Sequence, residues 1–289
     1  MHDAVVQIDG RLYAGDEARI SVFDRGFLFG DSVYEVLRTL RGRPLFWPEH
    51  HARLVASAGY LSLELGPGLD EAALRARIDE TLAAVPSVEK YLRVIVTRGV
   101  GDLSLAGPHG PPTVVIIARP LTLLPAEVYA DGCALAVFRL PATDVTGLDP
   151  RAKTGDKRTG VLAEAAARAA GAYEGLRVTA DDRVLEGASS TFFLVRGGVI
   201  VTPPLAAGIL AGITRGQVLG LARRLGLPAD ERPIGLAELD TAEECFITST
   251  VRGVLPVCRI DDRSYGPPGP VTRQVMAAYT ARMAESVGP

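Results

Sequence analysis

Lysine is scarce in this chain: of 31 basic residues only Lys90, Lys153 and Lys157 are lysines, and the rest are arginines. Cysteine is as rare. Cys133, Cys245 and Cys258 are odd in number and lack Cys-x-x-Cys spacing, so neither a disulfide framework nor a cysteine-built zinc site is expected, and a reducing, cytoplasmic setting fits. The four histidines include the adjacent pair His50 and His51; neighbours in sequence cannot share one helix side, and no metal is expected. No apolar run approaches the ~20 residues of a membrane span. The opening Met1–Gly10 stretch lacks the basic-then-apolar pattern of a signal peptide. Net charge is −3 without a block of like charges, which argues against nucleic acid or an anionic membrane as partner. What is present is ordinary for a globular protein: 47% apolar and 22% charged residues over 289 positions, ample material for one large or two modest cores.

The few lysines are easily inspected. Lys90 ends a polar loop before an apolar strand, a bland place for a solvated charge. Lys153 lies in Ala152-Lys153-Thr154-Gly155-Asp156, ahead of an alanine-rich helix. Arginine cannot replace a lysine that must form an imine, because a guanidinium does not release a proton near neutrality. Lys153 is therefore the candidate catalytic amine. Lys157 reads as a surface or phosphate-region charge.

Along the chain, Asp9-Gly10 marks a hairpin within residues 5–12. Strands are expected at 32–39, 90–98, 112–118, 134–140, 175–180, 183–186, 191–196, 199–202 and 244–249, with a short extended piece at 44–46. Helices are expected at 49–57, where Pro48 stands in the first turn, and at 70–85, 159–170, 214–225 and 272–285. A further short element starts at 237–239. The Gly/Pro-rich loop 99–111 is expected to border a site. The fold class is α+β: a small N-terminal domain at 1–119, a linker at 120–130 and a larger domain at 131–289.

Glu186 follows a strand and precedes the small residues Gly187, Ala188, Ser189 and Ser190. A strand-end acid is commonly a solvated cap. It is also what a pyridine cofactor needs to keep its ring nitrogen protonated, and small neighbours let a flat ring lie close. Leu210-Ala211-Gly212-Ile213-Thr214-Arg215 opens a helix, either as an ordinary N-terminus or as a phosphate cradle of free N–H groups and a hydroxyl. Thr248-Ser249-Thr250 offers hydroxyls at another strand end, and Arg53 is either an exposed helix charge or a neutralising one. Neither a Walker loop nor a Gly-x-Gly-x-x-Gly opening is present.

Taken in order, these stretches, with Asp24-Arg25-Gly26 through Phe29-Gly30-Asp31-Ser32-Val33-Tyr34-Glu35-Val36, resemble the fold-type IV pyridoxal-phosphate enzymes, the aminotransferase class IV family. The resemblance spans nearly the whole chain. It implies pyridoxal 5'-phosphate as cofactor and a large domain built on a mixed, barrel-like sheet. It implies that Lys153 is the Schiff-base lysine and Glu186 the partner of the pyridine nitrogen, flanked by Ser189 and Ser190. Arg53, Ile213, Thr214 and Thr250 would hold the phosphate, Ile213 through its backbone N–H, and Ser249 would also bind the cofactor. Phe29, Tyr34, Val36, Tyr91, Arg93, Val251 and Arg252 would face the substrate. One departure is Arg158, where branched-chain members place a tyrosine.

On substrate the resemblance divides. The stretch from Asp24 to Asp31, with Tyr34 and Val36, looks like the D-amino-acid type, whereas Tyr91-Leu92-Arg93 looks like the branched-chain type. Loop 99–111 lacks the Arg-x-His carboxylate trap of D-specific members and carries His109 alone. Arg252 is either a substitute carboxylate clamp or a solvent or interface residue. A D-amino-acid transaminase is expected, with L-branched-chain transamination or an aminodeoxychorismate lyase as alternatives and (R)-amine transamination as a side activity. Amino-acid and oxo-acid substrates are the implied partners. Family members are homodimers, which implies that loop 99–111 borders the neighbour's site.

Overall fold

The computed structural model describes residues 3–141 and 149–288. The chain divides into two compact units, one of Met1–Thr122, Ala152–Asp156 and Ala284–Pro289, the other of Leu123–Arg151 and Lys157–Met283.

In the first unit the strands are β1 (Val5–Ile8), β2 (Arg11–Ala14), β3 (Ser32–Leu40), β4 (Arg43–Pro44), β5 (Lys90–Thr97) and β6 (Val114–Pro120), and the helices are α1 (Arg25–Phe29), α2 (Trp47–Tyr60) and α3 (Glu71–Ala83). The six strands form one sheet in the order β2-β1-β6-β5-β3-β4. Its neighbours pair antiparallel. The register decides which residues share a face, because side chains alternate along a strand. Val33, Glu35 and Leu37 of β3 stand opposite Val96, Val94 and Leu92 of β5, while Tyr34, Val36 and Arg38 stand opposite Ile95, Arg93 and Tyr91. The first set joins Leu54 of α2 and Leu74 and Ile78 of α3 in the core, and carries one carboxylate, Glu35, into it. Asp70 caps α3 by accepting from the Ala73 N–H at 2.9 Å, the reason that helix starts where the sequence indicates.

The second unit holds α4 (Ala126–Asp131), β7 (Cys133–Arg139), α5 (Arg158–Ala169), β8 (Glu174–Val178), β9 (Arg183–Gly187), β10 (Thr191–Arg196), β11 (Val199–Thr202), α6 (Ile213–Leu225), β12 (Ala229–Glu231), β13 (Ile234–Gly235), β14 (Glu244–Ser249), β15 (Gly253–Ile260) and β16 (Arg263–Ser264). The last helix, α7, runs Pro270–Val287. The strands form one curled, mixed sheet, β12-β11-β10-β14-β15-β7-β8-β9-β13, with β16 beside β15. Pairs β7/β8, β15/β7 and β11/β12 are parallel. α5 packs on β7 and β8. Gly175 makes that approach possible, since a Cβ there would lie 2.6 Å from the Ala163 carbonyl oxygen.

Three differences from the sequence reading stand out. Helix α4 (Ala126–Asp131) occupies the C-terminal end of the expected linker. β15 is an unforeseen central strand, hidden because Pro256 interrupts its pattern; pairing to β7 starts only at Val257, so the proline sits where that edge is not yet engaged. Segment Ala152–Asp156, read as part of the second domain, groups with the first unit. It is tied there by a bridge between Val33 and Thr154. Among the described residues no helix is long and apolar enough to cross a membrane.

Candidate active site

Lys153 lies on the edge of β3. Its carbonyl accepts from the Tyr34 N–H at 3.0 Å, and its own N–H donates to Ser57 Oγ at 3.0 Å. Gly155 N–H donates to the Ser32 carbonyl at 2.9 Å. With the backbone held on both sides, Nζ stands 4.6 Å from the centroid of the Tyr34 ring. The Arg93 guanidinium stands 4.2 Å from the same centroid. An amine and a fixed cation thus gather at one aromatic ring, on the sheet face that also carries Val36 and Tyr91. Tyr91 is itself covered by Arg119 at 4.9 Å. Phe29, by contrast, ends α1 and is exposed, with Arg25 above its ring at 5.0 Å.

Arg53 is not the exposed helix charge considered above. Its Nε and Nη2 each donate to Glu35 at 2.7 Å, one to each carboxylate oxygen. His50 Nδ1 meets Glu35 Oε2, also at 2.7 Å. Glu35 and His50 are fully buried. Burial alone would raise the Glu35 carboxyl, but the charge and hydrogen bonds of Arg53 and then His50 prevail and hold it at about 2. Burial pushes the His50 pKa below its ordinary range, against the pull of Glu35. Two of Arg53's donor groups are therefore spent on Glu35, a partner the sequence reading did not foresee.

In the second unit Glu186, at the end of β9, accepts from Arg177 Nη2 through Oε1 and from the Leu210 N–H through Oε2 at 3.3 Å. α6 begins at Gly212 without a side-chain cap. A Cβ at Gly212 would lie 2.7 Å from Thr191 Oγ1. α6 packs on β14. Thr248 Oγ1, near the end of β14, is buried with no hydrogen-bond partner, and Thr214 Oγ1 is 3.4 Å from the Tyr279 hydroxyl. An uncapped helix start, a close-packed glycine and an orphaned hydroxyl suit an anionic phosphate. Ile213, Thr250 and Val251 are half-buried.

Arg252 does not fit the role of free carboxylate clamp. Its Nη1 donates to the fully buried Glu174 at 2.5 Å, Nε to Ser249 Oγ at 2.8 Å, and Nη2 to Ser189 Oγ at 2.8 Å. Glu174 Oε1 also accepts from the Ser189 N–H at 2.6 Å and from Ser190 Oγ at 3.0 Å. All three faces of the guanidinium serve to fix the turn that follows Glu186. A buried carboxylate needs a partner, and Arg252 is that partner.

A family model for the class IV amino-transferases matches residues 32–260. The chain belongs to this family. It is 37% identical over 259 residues, 89% of this chain and 88% of the other, to a Methanocaldococcus jannaschii protein provisionally named a branched-chain-amino-acid aminotransferase. It is 34% identical over 276 residues, 94% of this chain and 95% of the other, to D-alanine aminotransferase of Bacillus licheniformis. Among solved structures, a branched-chain amino acid aminotransferase of Escherichia coli superposes with a TM-score of 0.88 at 26% identity, covering 98% of this chain and 95% of that one. The corresponding T.th. enzyme with pyridoxamine 5'-phosphate gives 0.86 at 29%, covering 96% and 93%. This class IV aminotransferase is accordingly a fold-type IV transferase that uses pyridoxal phosphate.

Sequence reasoning missed three charged residues of these clusters: Glu35, Glu174 and Arg177. Each is a charge within a largely buried strand, which is a signal in itself, but the partner that explains it lies elsewhere in the chain.

Proposed function

We propose that this aminotransferase moves the amino group of an amino acid, with D-amino acids as preferred donors, to an oxo acid such as 2-oxoglutarate or pyruvate. The observation that carries the amino-acid assignment is the pairing of the Lys153 amine and the Arg93 guanidinium at the Tyr34 ring. One group suits proton transfer at an α-carbon, the other suits the neighbouring carboxylate. The D preference is supported by the Asp24–Val36 stretch and by the D-alanine aminotransferase relative. The second reading, L-branched-chain transamination, is favoured by Tyr91-Leu92-Arg93 and the Methanocaldococcus jannaschii relative.

Bound pyridoxal phosphate supplies an aldehyde carbon that receives the amino group and a ring that withdraws electrons. In our reading Lys153 would bind the cofactor, and its amine would carry a proton to and from the substrate α-carbon. Glu186 keeps the ring nitrogen protonated. The Ile213 N–H and the Thr214 and Thr250 hydroxyls would hold the phosphate, with Arg53 oriented for it by Glu35. Ser249, Ser189 and Ser190 shape the wall beside the ring, stiffened by Arg252 and Glu174. Tyr34 shields the amine from water, and Val36 and Val251 bound the space for the side chain.

We propose a homodimer. Phe23, Phe27, Leu103 and Leu105 are 50–79% exposed, and Arg25 ties α1 to this stretch by donating to the Ser104 and Leu105 carbonyls at 2.9 and 2.8 Å. Exposed apolar side chains on these joined segments suit a second copy of the chain. Cys133 and Cys245, free and buried, suit the cytoplasmic location we propose.

The test follows the yellow colour of the cofactor-loaded chain while D-alanine or L-leucine is added without an oxo acid. Bleaching by D-alanine alone supports the D reading, and bleaching by L-leucine alone replaces it with the branched-chain one. Pyruvate release that needs no oxo acid marks a lyase. Lys153→Ala should neither bleach nor turn over, and retained turnover would overturn the assignment of Lys153.

A further inference from the structure

Arg177 has no place in the scheme above, yet it sits on the residue meant for the cofactor ring. It projects from β8, where the rest of the strand is buried, and Nη2 donates to Glu186 Oε1. The other carboxylate oxygen takes the Leu210 N–H. The pair is largely shielded from water, with side-chain exposures of 22% for Arg177 and 11% for Glu186. Arg177 Nε is buried without a hydrogen-bond partner, so the guanidinium is not placed to satisfy itself. Its carboxylate contact is the interaction the site retains.

A guanidinium remains charged at any working pH. Charges brought together outside bulk water act strongly on one another, and a second cation disfavours protonation of a base that shares the same carboxylate. Resting on the reading of Glu186 as partner of the ring nitrogen, we propose that Arg177 competes for that carboxylate and sets how firmly Glu186 holds the ring proton. Arg177 is a positioning residue that acts through Glu186. It loosens the ring-nitrogen bond and so moderates the electron withdrawal of the bound ring.

The experiment compares binding of two probes to the full chain: pyridoxal phosphate, and its deaza analogue, in which the ring nitrogen is replaced by carbon. The ratio of the two affinities reads the ring-nitrogen interaction alone, while affinity for the deaza analogue reports whether the phosphate cup is intact. Arg177→Leu should raise the ratio about tenfold, the size of one added charge interaction in a half-screened site, with little change for the deaza analogue. Arg177→Lys should keep the wild-type ratio. Glu186→Gln should collapse the ratio, and adding Arg177→Leu to it should change nothing further. If Glu186→Gln leaves the ratio intact, the reading of Glu186 itself fails. If Glu186→Gln collapses it but Arg177→Leu leaves it unchanged or lowers it, the competition is refuted while the Glu186 reading stands.

Discussion

Glu35 and Glu174 are the two fully buried carboxylates on which arginines of the candidate site depend. Removing one partner of a buried pair leaves the other charged and unsolvated, at a cost of about 3–5 kcal/mol. Glu35→Gln should therefore destabilise the protein by roughly 3 kcal/mol and weaken cofactor binding by loosening Arg53. Denaturant titration and a cofactor binding isotherm check the two effects. Arg252→Met separates the structural role of Arg252 from substrate clamping. Its loss should lower the unfolding free energy by about 3 kcal/mol and weaken retention of the cofactor. A raised substrate KM at undiminished stability would restore Arg252 as the clamp.

At the scale of elements, the close seating of α5 on β8 depends on Gly175. A valine there would press its Cβ against the backbone carbonyl of Ala163, and backbone yields less readily than a flexible side chain. Overpacking of this kind costs about 1–3 kcal/mol. Gly175→Val should lower the thermal midpoint accordingly, whereas Gly216→Ala, on α6 with nothing within 4 Å of the added Cβ, should not. Equal midpoints for both variants would show that α5 is free to shift. The same strand, β8, pairs with β9 through an irregularity between Leu176 and Val178, at Arg177, whose guanidinium reaches Glu186.

For the whole molecule, the buried triad sets a direction for acid sensitivity. Burial holds His50 below its ordinary pKa, so the unfolded chain takes up a proton near pH 6.5 that the folded chain refuses; the stability it confers is present above that pH and is lost on acidification. Glu35, at about 2 instead of 4.5, contributes stability that is present above pH 4.5 and lost as pH falls toward 2, about 3 kcal/mol in all. Both effects weaken the first unit in acid. The chain's single tryptophan, Trp47, lies in that unit's core, so its fluorescence reports on this unit. The tryptophan transition should shift to lower pH in His50→Asn, which removes one of the two proton uptakes. A transition unmoved by that change would show that His50 does not drive it.

Some of this was legible in residue types alone. An imine demands a lysine, and in a chain that uses arginine almost everywhere else Lys153 stood out beside a short list of rivals. Glu186 before four small residues, an uncapped Gly212-Ile213-Thr214 start and Asp70 ahead of α3 are local patterns, and local patterns are set by backbone chemistry that a few neighbours control. The tertiary structure decided who partners whom. Arg252 and Glu174 are 78 positions apart and Arg53 and Glu35 are 18 apart, and no spacing rule links them; each pair exists because packing takes a carboxylate out of water and only a cation brought there by another element can satisfy it. The strand β15 was hidden by Pro256 because a missing N–H matters only once the neighbouring strand is known. For the same reason the sequence could nominate Lys153 as the amine, but its seat on β3, beside Tyr34 and Arg93, follows from a bridge that only the folded chain makes.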